Sequence, residues 1–150
     1  MALASLAAAT KEFKGDPKRT YLTGLSMGGY GSWDLAAKYP GKFAAVVPIC
    51  GGIVLPEHLR QMRPDLSSYP DDPKSYAEVA KKIGKTPVWI FHGGADDTVP
   101  PDGSRKLNEA LKAAGGDVRY TEYPGVGHNS WDKAYAEPEL MSWMFAQSLK

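Results

Sequence analysis

The chain has a single cysteine, Cys50, among 150 residues, which excludes an internal disulfide and leaves a reducing compartment permissible. It has no apolar run approaching the ~18 residues needed to cross a bilayer. The Ala-rich stretch over residues 1–10 lacks a basic leader, so it reads as helix rather than secretion signal, and a cytoplasmic location is expected. An excess of one charge is missing too. Eighteen Lys and Arg against 17 Asp and Glu leave a net charge of +1, and the basic residues are scattered rather than massed. Phosphate binding needs a concentrated basic footprint, so neither nucleic acid nor membrane is expected as a partner. No metal or organic cofactor is implied.

What is present is an ordinary globular composition, 43% hydrophobic and 23% charged, in a chain long enough for one domain over residues 1–150. Folded chains of this size bury roughly 68–70% of the surface they expose when unfolded. Leu3, Leu6, Ala7, Thr10 and Phe13 or Lys14 follow helical spacing, and Gly15-Asp16-Pro17 stops that helix. A short β-branched and aromatic strand is expected from Thr20 to Thr23, followed after Gly24 by a Gly-rich turn and a helix running to Tyr39, before Pro40. Residues 43–49 (FAAVVPI) form the continuous apolar run of a strand covered on both faces. A proline-rich loop with a short helix around residues 57–62 follows.

Ser75 and Glu78 form an S-x-x-E capping pattern ahead of a stripe made by Tyr76, Val79, Ala80 and Ile83. Further strands are expected over residues 88–91 and 118–123. Between them lies a helix marked by Leu107, Ala110, Leu111 and Ala114 and closed by Gly115. Pro138 suits the first turn of a final helix, with Leu140, Trp143 and Met144 facing inward. Four alternations of strand and helix point to an α/β fold, a mostly parallel sheet of about four strands with helices on both faces. Reactive groups in such sheets gather beyond the carboxyl ends of the strands.

Three positions that carry chemistry lie there. Gly24-Leu25-Ser26-Met27-Gly28 is a G-x-S-x-G pentapeptide between a strand and a helix. That context makes Ser26 a candidate nucleophile, lifted above the sheet on a sharp, strained turn. Asp96 follows the strand that ends at Phe91-His92-Gly93, where a carboxylate could fix a histidine tautomer. Asp97 stands next to it and is open to the same role by chemistry alone. His128, between Gly127 and Asn129 just past the last strand, completes the order Ser, Asp, His. Of the other histidines, His92 is expected to pack or hydrogen-bond at a strand end, and His58 to be solvated. Cys50 is expected to be a small buried residue at the end of a strand.

The stretches at residues 21–31 (YLTGLSMGGYG), 47–52 (VPICGG), 92–100 (HGGADDTVP) and 127–131 (GHNSW) resemble α/β-hydrolase esterases. The similarity is to the dienelactone-hydrolase-like and feruloyl-esterase-like branch near the prolyl oligopeptidase catalytic domains. Nearly the whole chain is similar to the C-terminal half of that fold, so a minimal or truncated α/β-hydrolase is expected. By this resemblance Ser26, Asp96 and His128 take the triad roles, and the backbone N–H of Met27 is one oxyanion donor. Tyr30 and Trp131 are expected at the mouth of the pocket.

The resemblance implies a serine carboxylic-ester hydrolase acting on small acyl esters. Two alternatives stand beside it: a catalytically silent remnant serving as a binding or assembly module, and a serine peptidase. A dienelactone-type enzyme would want a cysteine nucleophile, whereas position 26 is serine and Cys50 is expected elsewhere. The usual fold places about four strands before the serine strand, together with the loop that carries the second oxyanion donor. Here only a helix precedes it. The edge from Thr20 to Thr23 is therefore expected to be exposed, and homo-oligomerisation through that edge or the N-terminal helix follows as an expectation.

Overall fold

In the computed structural model, residues 2–62 and 64–150 are described. The side chain of His58, expected to be solvated, lies outside the described residues. Among the described residues there are four strands: β1 (Tyr21–Leu25), β2 (Ala45–Ile49), β3 (Val88–Gly93) and β4 (Val118–Tyr123). They form one all-parallel sheet in the order β1-β2-β3-β4. Among the described residues the α-helices are α1 (Ala2–Glu12), α2 (Met27–Lys38), α3 (Glu57–Met62), α4 (Pro73–Ile83), α5 (Asp102–Ala113), α6 (Trp131–Tyr135) and α7 (Leu140–Phe145). A 3₁₀ turn at Pro17–Arg19 leads into β1. This is the α/β architecture expected, short of the strands that precede the serine strand in larger members of the fold.

The register explains why the sheet has two clean faces. Leu22 pairs with Val46, Val46 with Val88 and Val88 with Val118, so even-numbered positions stay together across all four strands. Side chains alternate along a strand, and those positions share one core with Trp33, Val79, Leu107 and Leu111 of α2, α4 and α5; Leu3 and Leu6 of α1 pack at its margin. Odd positions, including Val47, Ile49, Trp89 and Phe91, face the other core with Ala134 of α6 and Leu140, Trp143 and Met144 of α7.

Pro48 sits in the middle of this fully buried strand, where it has no N–H to give β3. Val46 and Cys50 donate toward the β3 side, to Pro87 O and Phe91 O, both at 2.9 Å, so the intervening position is the one lost. A ladder bond nets about 0.5–1.5 kcal/mol. Burial of Val46, Val47 and Ile49, each at most 1% exposed, contributes about 1.5–3 kcal/mol apiece, and the strand survives the gap.

Two local expectations are corrected. Ser75 is not the cap of α4: it is buried within the helix, and Asp72 caps it, accepting a hydrogen bond from Ser75 N at 2.8 Å. The helix starts three residues earlier because Pro73 presets its first position. The chain after β4 makes α6 before reaching α7, whose first residue is Leu140, so Pro138 lies in the turn between them. The β1 strand also runs further than expected, to Leu25, and takes in the first glycine of the pentapeptide.

Candidate active site

Ser26 occupies a sharp corner between β1 and α2, with φ 51° and ψ −117°. Non-glycine residues avoid positive φ, so this conformation is held by its surroundings. The holding contacts are specific. Ser26 N donates to Ile49 O at 3.0 Å and approaches Cys50 Sγ at 3.3 Å. A Cβ on Gly24 would run into the carbonyl of Gly28, so the strand leaving the sheet and the helix entering it can pass only if position 24 is glycine. Gly28 itself has open space. Ser26 is the N-cap residue of α2, yet its side chain makes no capping bond, which leaves the hydroxyl available.

That hydroxyl lies 2.8 Å from Nε2 of His128, and Nδ1 of the same ring lies 2.8 Å from Oδ2 of Asp96. Asp96 is held from its other oxygen: Oδ1 accepts from Thr98 N at 3.0 Å and Val99 N at 2.9 Å. The turns after β3 and β4 are strapped together, Gly94 N to Tyr123 O and Ala95 N to Val126 O, both 2.9 Å. Gly93 makes that strap possible, because a Cβ there would overlap the carbonyls of Val126 and Gly127. Asp96 and His128 thus reach each other across 32 residues of sequence through a crossing of two backbones.

The remaining candidates fall into place around this chain of bonds. Asp97 is exposed. Met27 opens α2, so its N–H is among the first four in the helix that lack an intrahelical partner. The Trp131 ring stands edge-on to the His128 ring, with centroids 5.5 Å apart. Tyr30 is buried with Leu55 and Val99 in a small apolar cluster, and burial beside Asp96 and Cys50 pushes its hydroxyl pKa up to about 12. It also lines a cavity of about 280 Å³ with Gly51, Gly52, Val99, Pro100 and Lys106. Neither this cavity nor a larger apolar depression of about 730 Å³ between α4 and α5 is lined by Ser26, Asp96 or His128.

His92 behaves as expected of a strand-end residue. It is fully buried, with Nε2 2.8 Å from Val99 O and Nδ1 2.7 Å from Ser104 Oγ, and burial pushes its pKa down. Cys50 is where sequence reasoning fell short. It is fully buried, as expected, but it lies against Ser26 rather than elsewhere. The chain bends there (φ 40°) and turns the sulfur under the serine. The one signal for this in the sequence is that Cys50 ends a strand at the same level as Ser26. Burial pushes the thiol pKa up, which keeps it protonated and poorly nucleophilic.

Among known proteins, residues 1–138 match the Dienelactone hydrolase family. The chain is 28% identical over 126 residues to acyl-protein thioesterase 1 of Gibberella zeae, covering 82% of this chain and 46% of that protein. It is 30% identical over 122 residues to poly(3-hydroxyalkanoate) depolymerase C of Paucimonas lemoignei, covering 74% and 27%. Among solved structures it is similar to a thermostable esterase, with 35% identity and a TM-score of 0.74 over 98% of this chain and 36% of that one. The acylaminoacyl peptidase of Pyrococcus horikoshii shares the fold at 19% identity, with a TM-score of 0.71 over 97% of this chain and 26% of that one. The chain spans less than half the length of these curated relatives. No described helix is long and apolar enough to cross a membrane.

Proposed function

This chain belongs to the dienelactone hydrolase family, and we propose on that premise that it is a serine carboxylic-ester hydrolase acting on small acyl esters. The observation that carries the reading is the unbroken pair of 2.8 Å hydrogen bonds from Ser26 Oγ through His128 to Asp96. In the proposed reaction Ser26 Oγ attacks the ester carbonyl carbon while His128 Nε2 takes its proton. Asp96 holds Nδ1–H and stabilises the imidazolium. The oxyanion of the tetrahedral intermediate faces the free N–H of Met27, a donor of the kind whose loss costs ~10²–10³ in turnover. His128 then gives its proton to the leaving alkoxide, and the alcohol departs. A water deprotonated by the same nitrogen attacks the acyl-Ser26 ester and releases the acid with Ser26 restored. His128 must be neutral at the first step to accept the proton.

Serine rather than Cys50 is the nucleophile in this scheme, because the thiol is buried and protonated while the serine hydroxyl is bonded to the base. Relatives named as an esterase and a thioesterase support acyl transfer from an oxygen or sulfur leaving group. The free edge of β1 further supports a homo-oligomer as the working form.

Release of nitrophenol from a short-chain nitrophenyl ester, measured beside a Ser26→Ala variant, tests the reading. Turnover is expected in the parent chain and a fall of at least about 10³-fold in the variant. Equal rates in both, or none in either, would make a silent binding module the better description.

A further inference from the structure

Against the Ser26–His128–Asp96 chain lies one group that ester hydrolysis does not use, the Cys50 thiol. The Cys50 sulfur, one imidazole nitrogen of His128 and one carboxylate oxygen of Asp96 all lie within 4.8 Å of one another. Beside the thiol is the hydroxyl of Ser130. It is fully buried, and among the described residues the thiol is the one hydrogen-bond partner found for it. A thiol is a weak partner for a buried hydroxyl, and this one stands beside the sulfur of a trio whose members are each metal ligands by chemistry.

We propose that Cys50, His128 and Asp96 form a binding site for a soft divalent cation of the zinc or cadmium kind, and that its occupancy silences the hydrolase. Thiolate, imidazole and carboxylate together make the donor set such ions take, and one that magnesium and calcium refuse. Metal bonds of about 2.0–2.3 Å around a tetrahedral ion place its donors ~3–4 Å apart. A pair at the 4.8 Å limit therefore needs to close by roughly 1–2 Å, while His128 Nδ1 and Asp96 Oδ2, at 2.8 Å, need to part slightly. His128 is the donor able to move: its side chain is 21% exposed, whereas that of Asp96 is fully buried.

On binding, the Cys50 thiol proton leaves to water and sulfur forms a bond to the metal. His128 turns a ring-nitrogen lone pair to the metal, and Asp96 Oδ2 exchanges the imidazole N–H for the ion. The fourth position falls to the Ser130 hydroxyl or to water. Asp96 Oδ1 keeps its bonds from Thr98 N and Val99 N, an outer shell that fixes the carboxylate. His128, once it ligates the metal, no longer accepts the proton of Ser26. The binding half of the proposal stands on geometry alone; the silencing half rests on the reading of Ser26 and His128 as nucleophile and base.

Titrating the purified chain with cadmium chloride, followed by the thiolate-to-cadmium charge-transfer absorbance in the ultraviolet, separates the two halves. One equivalent is expected to develop the band, and the band is expected to disappear in both Cys50→Ala and the near-isosteric Cys50→Ser, with folding of each checked by thermal melting. It should also weaken by about tenfold or more in apparent affinity in His128→Ala. Ester turnover of the parent chain should fall with the same midpoint, and the ratio of turnover with and without cadmium should return to one in the Cys50 variants. A parent chain that gives no band, or a band untouched in a folded Cys50→Ser variant, overturns the site. A clear band with no effect on measurable turnover overturns the silencing. If the chain shows no turnover at all, the hydrolase reading fails and the silencing proposal with it, while the absorbance still decides the site.

Discussion

Asp96 and Asp97 carry the same charge on adjacent residues in opposite surroundings. Asp96 is 5% exposed, accepts two backbone N–H bonds on one oxygen, and meets His128 Nδ1 on the other. Asp97 is exposed, and the bond found for its carboxylate is a long one, from the Thr98 hydroxyl at 3.5 Å. Sequence chemistry left the two open, since both follow the same strand; the choice is made by the turn, which spends the N–H groups of residues 98 and 99 on one carboxylate. His92 Nε2, 3.3 Å from Asp96 Oδ2, adds no competing cation, because burial pushes its pKa down and favours the neutral ring. Replacing the carboxylate by an amide leaves the shape but favours the wrong imidazole tautomer. Asp96→Asn is therefore expected to lower kcat for a nitrophenyl ester by about 10³–10⁴-fold with little change in KM, and Asp97→Asn to leave kcat unchanged. Equal losses in the two variants would remove the orienting role from Asp96. Cys50 shows the opposite case of legibility. Its type predicted burial correctly, but its place against Ser26 depends on a bend at φ 40° that no residue-level preference announces.

At the scale of elements, the start of α4 shows how local chemistry can be misread while the element is found. Tyr76, Val79, Ala80 and Ile83 fall on one buried face, so the 3.6-residue period located the helix. Two capping signals compete at its start, S-x-x-E from Ser75 and the Asp72-Pro73 pair. The second wins because proline needs no N–H partner in the first turn, and because Ser75 is more useful buried against the core. The Asp72 side chain satisfies Ser75 N, and its own pKa is pushed down by that bond. Asp72→Ala is expected to lower the melting temperature by about 2–4 °C, and Ser75→Ala by less, in a calorimetric scan. A larger loss from Ser75 would restore the S-x-x-E reading. The strands were legible for a similar reason: short apolar runs bounded by turns appear as β1 to β4 within two residues or so, and alternation with helices implied the parallel sheet. The helix α6 was not legible, since five residues make little more than one turn and show no period. It forms because Ala134 and Trp131 are needed to cover the sheet behind the His128 loop.

The whole molecule has two sheet edges, and they differ. β4 carries Arg119 and Glu122, with Glu122 paired to Arg105 at 2.6 Å, and charges on an edge discourage pairing with another chain. β1, Tyr-Leu-Thr-Gly-Leu, has neither charge nor proline. Ser26 N bonds toward β2, and backbone groups alternate sides along a strand, so the N–H and C=O groups of Tyr21, Thr23 and Leu25 face outward. Apolar side chains gather beside them. Leu25 is 37% exposed and Phe145 51% exposed, with the Phe145 ring 5.6 Å from that of Tyr21; Tyr135, hydrogen-bonded to Thr23 at 3.0 Å, extends the same band. A second copy related by a two-fold axis would satisfy the outward backbone groups and cover this band, which makes a symmetric dimer the expected form. Light scattering coupled to size exclusion is expected to give twice the mass of the 16.3 kDa chain at high concentration, shifting toward the monomer on dilution. Leu25→Lys, which places a charge on the edge, should move that midpoint to higher concentration by tenfold or more, about 1.4 kcal/mol or above, while Arg119→Ala on the far edge should not. A chain that stays monomeric at every concentration, or a dimer indifferent to Leu25→Lys and broken by Arg119→Ala, would remove β1 as the interface.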